Sequence, residues 1–180
     1  MSEAQGVVKT IRVLKQRDWT EAELKAANFQ YYPVRKRLVM AKMLKEAQDI
    51  EITLEVLSAD EGDIICYNPG SVRLEHLEDY DHWPVRRELF RENYRPWAEP
   101  GWLPNPAEEH LLLNGCRPFY KVVGVWAQLL TRPLYVQSLE SPRPVLVPPG
   151  RWLCVGVRGE PYHMNDEEFR NRYMLTPETS

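Results

Sequence analysis

Gly62-Asp63-Ile64-Ile65-Cys66 and, 88 residues further on, Gly150-Arg151-Trp152-Leu153-Cys154 share one frame: a glycine, a polar residue, two apolar residues and a cysteine. The glycine suits a turn that needs positive φ, and the apolar pair that follows enters a strand. Working outward, Asn28 and Asn114 lie 86 residues apart, as do Ala41 and Ala127. Phe90-Arg91-Glu92-Asn93-Tyr94 recurs as Phe169-Arg170-Asn171-Arg172-Tyr173 at a spacing of 79. A period of this size is too long for a solenoid and suits a duplicated unit. The shorter last spacing leaves the acidic stretch Glu75-His-Leu-Glu-Asp-Tyr-Asp81 as an insertion between elements.

The local patterns expand this frame. Val7 to Leu14 reads as a leading strand. Thr20 with Glu23 and Asn105 with Glu108 have capping-box spacing, Pro106 stands at a first helical position, and Asn165 opens a third helix start. Ile50, Ile52, Leu54 and Val56 alternate with Glu51, Thr53 and Glu55, which predicts one half-buried strand over 50–57. Gly62 to Tyr67 and Val72 to Leu77 flank Asn68-Pro69-Gly70 and predict a hairpin; Pro84 to Asn93 predicts a closing helix. In the second half, 119–130 and 134–139 read as strands, and 150–157 with 159–164 as a hairpin.

The expected class is therefore α+β: two tandem pseudo-repeats, each a short helix, a small mostly antiparallel sheet with a hairpin, and a closing helix. The expected organisation is an N-terminal extension over 1–17, repeat 1 over 18–97, a Pro/Trp linker over 98–103, repeat 2 over 104–175 and a tail over 176–180. Fifteen prolines against nine glycines favour short elements and stiff connections.

Both halves resemble a family of small phage and bacterial domains. In that family a basic strand ends near an alanine, an alternating strand follows, and then come Pro-Gly-Asp-Tyr or Pro-Gly-Asp-Trp, a hairpin and Phe-x-x-x-Tyr. The first half has Arg35-Lys36-Arg37 before Ala41, Glu61-Gly62-Asp63-Ile64 and Phe90 to Tyr94. The second has Pro149-Gly150-Arg151-Trp152, Gly159-Glu160-Pro161-Tyr162 and Phe169 to Tyr173. Glu61 replaces the motif proline in one copy, and Arg151 the motif aspartate in the other. The family has no established activity, so the resemblance implies a fold and not a reaction.

Composition narrows function. A net charge of −3 creates no field that would draw in a polyanion. Three widely spaced cysteines suit reduced thiols and a cytoplasmic location, and no apolar run approaches a bilayer span, so membrane insertion is not expected. No serine-elbow, phosphate-loop or zinc-ligand spacing is present, so no catalytic, cofactor or metal residue is assigned and an enzyme is disfavoured. The expected function is a non-enzymatic module that binds a protein, with Trp83, Trp97 and Trp102 as apolar anchors and Arg86, Arg91 and Arg95 as polar contacts. Two alternatives stand beside it. One is a nucleic-acid accessory protein using the arginine-rich face; the other is a small-molecule binder or enzyme with a pocket between the repeats.

Overall fold

The computed structural model describes residues 12–175. In chain order its elements are β1 (Val13–Leu14), α1 (Glu21–Ala26), β2 (Gln30–Tyr32), β3 (Leu38–Met43), β4 (Gln48–Ile52), β5 (Glu55–Ala59), β6 (Ile64–Asn68), β7 (Asp81–Val85), α2 (Arg87–Asn93) and β8 (Tyr94–Pro96). They continue with α3 (Pro106–Leu113), β9 (Arg117–Lys121), β10 (Val125–Leu129), β11 (Leu134–Val136), β12 (Val145–Val147), β13 (Trp152–Val155), β14 (Pro161–Met164) and α4 (Asp166–Arg172). Of the strand expected over 7–14, only its end is seen; residues 7–11, with the rest of the expected extension up to 11 and the tail over 176–180, fall outside the described residues.

The expected α+β class is corrected. Among the described residues strand accounts for 37% and helix for 19%, in four sheets with four short helices, so they are mainly β and do not form helix-flanked repeats. The sheets run β7-β6-β3-β9-β8, β14-β13-β10-β2, β1-β11-β12 and β4-β5. The order helix, strand, strand, hairpin, strand, strand, helix does recur, but the two halves are interlaced. β2 pairs with β10 of the second half, and β9 pairs with β3 of the first. The helices follow: Leu24 of α1 packs with Leu153 and Val155, and Ala107 and Leu111 of α3 pack with Met40 and Ile65. A strand with one apolar face and two open edges is stable only when both edges and the face are covered, and here each half covers the other.

Matched positions share surroundings. Cys66 lies opposite Ala41, and Cys154 opposite Ala127, in the central strands of the two larger sheets. Phe90 stacks on Tyr94 at 4.7 Å and packs with Cys66 and Ala41; Phe169 stacks on Trp152 at 3.9 Å and packs with Cys154 and Ala127. All three cysteines are unpaired and buried, and burial pushes the Cys154 thiol up to about 12.

Local expectations divide. The capping boxes at Thr20/Glu23 and Asn105/Glu108 form as the spacing predicts, and the Asn165 side chain accepts from the Glu168 amide. The 50–57 strand, by contrast, is two strands joined by a tight turn at Thr53-Leu54, where Leu54 adopts φ +82°. Reversal changes the parity, so Ile50 and Leu57 face inward together while Val56 is exposed. The 119–130 strand is likewise broken, between β9 and β10, and at the break Gly124 lies so close to Tyr31 and the Tyr32 carbonyl that a Cβ there would collide with them. The partner of β6 is not 72–77 but Asp81–Val85, inside and just beyond the acidic insertion. Pro84 is tolerated there because β7 is the sheet's edge, and the closing helix starts at Arg87 instead.

Candidate functional site

The two larger sheets end on edge strands, β7 and β14, and both strands line a cavity of about 760 Å³. The β4–β5 hairpin contributes Glu51, Ile52, Thr53, Glu55 and Leu57 to the same wall. This volume is in the range that holds a small organic molecule. A second recess of about 250 Å³ shares Asp81, Trp83, Tyr94, Lys121, Glu168 and Arg172 with it.

At one side of the cavity, Lys121 Nζ donates to Tyr173 Oη at 2.6 Å and to Tyr162 Oη at 3.3 Å, and the two phenols are 3.0 Å apart. β9 carries Lys121 across from the first sheet to meet side chains of β14 and the end of α4, so the strand exchange builds this cluster. Burial, then the neighbouring Tyr173 and Cys154, holds the Tyr162 hydroxyl well above the usual phenol range, which leaves it protonated. Beside it Arg172 lies over the Trp83 ring at 4.0 Å and pairs with Asp81 at 3.7 Å.

The hairpin is tied to β14 by a buried contact. Glu55 Oε2 is 2.8 Å from His163 Nε2, with side chains only 6% and 3% exposed. Arg151 Nε lies 3.2 Å from His163 Nδ1. A guanidinium has no acceptor, so Nδ1 must present its lone pair and the ring proton sits on Nε2, where it donates to Glu55. Arg151 thus orients the His163 ring toward Glu55. The other oxygen, Glu55 Oε1, is buried without a hydrogen bond, as are Asn93 Oδ1 and Ser138 Oγ; all three residues line the cavity. Leaving such an atom unsatisfied costs about 1–3 kcal/mol, so three at one site is a large concentration of unmet hydrogen bonding.

Two more carboxylates face this space. Glu160 is buried and accepts from the Arg158 amide at 2.8 Å; Gly156 makes room for it, since any Cβ there would overlap the carboxylate. Half-buried Glu140 is pushed up to about 7 by desolvation, against the lowering pull of its own backbone and of Arg86.

The six residues singled out in the sequence are dispersed over other tasks. Trp83 lines the cavity under Arg172. Trp97 packs edge-on to Tyr120 with Lys36 above its ring, and Trp102 Nε1 donates to Glu108. Arg86 pairs with Asp63 at 2.7 Å and Asp60 at 3.1 Å and donates to the Leu139 carbonyl. Arg95 donates to the carbonyls of Arg91, Glu92 and Tyr94, closing the end of α2, while Arg91 stays exposed. The basic run Arg35–Arg37 has the same task on α4: Arg35 Nε donates to the carbonyls of Arg170 and Tyr173, and Arg37 to that of Asn171. Cations at a helix C-terminus meet its unpaired carbonyls and the negative end of its dipole.

Sequence reasoning missed Glu55, Asn93, Lys121, Ser138, Tyr162, Tyr173 and His163 as a group. Their convergence comes from β5, α2, β9, the β11–β12 loop, β14 and the end of α4, segments that no local spacing relates. One signal existed, the placement of Tyr162 and Trp83 on the matched edge strands.

Among the described residues no three His, Cys, Asp or Glu side chains form a metal-holding group, and no helix is long and apolar enough to cross a membrane. Comparison with family models, curated proteins and solved structures finds no match.

Proposed function

We propose that this protein binds a small organic molecule in the cavity between the β7 and β14 edges, beneath the β4–β5 hairpin. The observation that carries this reading is the clustering of three unsatisfied buried polar atoms, on Glu55, Asn93 and Ser138, around one ligand-sized space. Buried polar groups are almost always paired, and a ligand is the simplest partner for several that converge. A protein-binding role has less support, because Trp83, Trp97, Trp102, Arg86 and Arg95 are engaged within the chain. A nucleic-acid role has less support for the same reason, since Arg35, Arg37 and Arg95 cap helix ends. Three unpaired, buried thiols fit a reducing compartment, and we place the protein in the cytoplasm.

Ligand-observed NMR with a fragment library of mixed charge tests the reading. Saturable binders are expected, and Ser138→Phe, which fills the cavity from one wall, should abolish their signals while leaving the melting temperature near that of the wild type. Absence of binders, or binding untouched by Ser138→Phe, refutes it.

A further inference from the structure

The chemistry of the cavity wall names the ligand class, resting on the proposed binding role above. We infer that the cavity takes a small organic cation bearing primary amine or guanidinium N–H donors. The unmet groups are biased to one sense. Glu55 Oε1 and Asn93 Oδ1 are pure acceptors, the Glu55 side chain and the Asn93 residue each 6% exposed, and Ser138 Oγ can accept. His82 also lines the cavity, with its Nδ1 2.6 Å from the Tyr80 carbonyl.

Charge points the same way. Seven carboxylate side chains line the cavity against three cationic ones. The three cations are already matched within the wall: Lys121 by Tyr162 and Tyr173, Arg151 by His163, and Arg172 by Asp81 and Trp83. An anion entering would meet net negative charge and acceptors with nothing to offer them. A neutral polyol would satisfy the acceptors but leave the charge imbalance, whereas an alkylammonium or guanidinium satisfies both and gains strength from each charge-assisted hydrogen bond. Glu55 is held for this task by its other oxygen, since His163 occupies Oε2 and leaves Oε1 for a donor.

Titration calorimetry of the full chain with agmatine and with spermidine, beside sorbitol and citrate, tests the assignment. Saturable one-to-one binding of a cation that weakens with added salt is expected, with no binding of citrate. Glu55→Gln and, independently, Asn93→Leu should each weaken it by at least about tenfold, while Arg91→Ala on the exposed face of α2 leaves it unchanged. Because Glu55→Gln also touches the His163 contact, hydrogen exchange of β4–β5 is read in parallel; weakened binding with unchanged protection assigns the loss to the ligand contact. Sorbitol or citrate binding without either cation overturns the ligand class yet leaves the cavity as a binding site. Failure of every compound, together with an empty fragment screen, overturns the binding role itself. A short arginine-containing peptide that binds more tightly than agmatine moves the cation onto a partner chain and overturns the assignment to a free small molecule.

Discussion

The β4–β5 and β11–β12 hairpins hold the same place in the two halves, between the central strand and the strand that carries the buried cysteine, yet they have different destinations. β11–β12 takes on β1 as a third, parallel strand and buries Val136 and Val147 against Leu24, Phe29 and Leu153. β4–β5 pairs only with itself and lines the cavity, joined to β14 through Glu55 and His163. A recurring order of elements therefore fixes where a hairpin leaves the sheet but not what it does. One hairpin is extended by a third strand; the other, beside its share of the core, walls the cavity. Both hairpins bury apolar side chains, Ile50, Leu57 and Ala59 in one and Val136 and Val147 in the other; the physical distinction is that β11–β12 gains a third strand, whereas β4–β5 has no strand partner outside itself and is tied to β14 by a buried polar contact.

The largest effect that tests this comparison lies in the shared scaffold. Phe169→Ala removes a fully buried ring stacked on Trp152 and should cost about 3–5 kcal/mol in denaturant unfolding; Phe90→Ala at the matched site should fall at the lower end of that range, because Phe90 is 8% exposed. Equal stability of wild type and Phe169→Ala would contradict the packing described.

Next in size is the hairpin contact. His163→Ala leaves the Glu55 carboxylate buried without a donor, and the relief is for the Glu55 end of β4–β5 to open to water against the packing of Ile50, Leu57 and Ala59. Amide exchange over 48–59 should quicken by about tenfold or more, as expected for loss of roughly 1.5–3 kcal/mol of a hydrogen bond to a charged group, while exchange over 134–147 is unchanged. Parallel loss in both hairpins would erase the contrast drawn between them.

Glu140, in the loop between β11 and β12, adds a pH dependence. Its folded-state pKa of about 7 lies above the ordinary carboxyl value of 4.5, so the folded state holds a proton that the unfolded chain releases. Its stability contribution is full below pH 4.5 and is lost as pH rises through 7. Glu140→Gln should thus match the wild type near pH 4.5 and exceed it at pH 8 by about 3 kcal/mol, measured by urea titration at both pH values. A wild type more stable at pH 8 than the variant would reverse the assignment.

The smallest effects are local. Leu54→Gly relieves the positive φ at the β4–β5 turn and should stabilise the protein by up to about 1 kcal/mol. Thr20→Ala and Asn105→Ala each remove a helix cap and should destabilise by about 1 kcal/mol.

The legible parts of the fold were those governed by residues near in sequence. A cap needs an oxygen and an amide three residues apart, so Thr20, Asn105 and Asn165 announced three helices. The paired frames at Cys66 and Cys154 announced matched strands, and both cysteines do sit opposite an alanine. The Thr53-Leu54 turn was illegible because it lacks Gly, Asn or Pro, and alternation through it imitates a continuous strand. The return strand Asp81–Val85 was hidden by its proline, which only an edge position permits. At the site, Trp83 was the one singled-out residue that lines the cavity.

Composition, caps and periodicity by themselves determined short helices, short strands and their recurring order, because those depend on backbone hydrogen bonds and side chains a few residues apart. Only the tertiary structure decided that β2 and β9 change places between sheets, that the class is mainly β, and that Glu55, Lys121, Tyr162, His163 and Tyr173 meet in one space. Pairing between distant strands is selected by whichever arrangement covers the most edge and apolar face together, a property of the whole chain that no window of sequence contains.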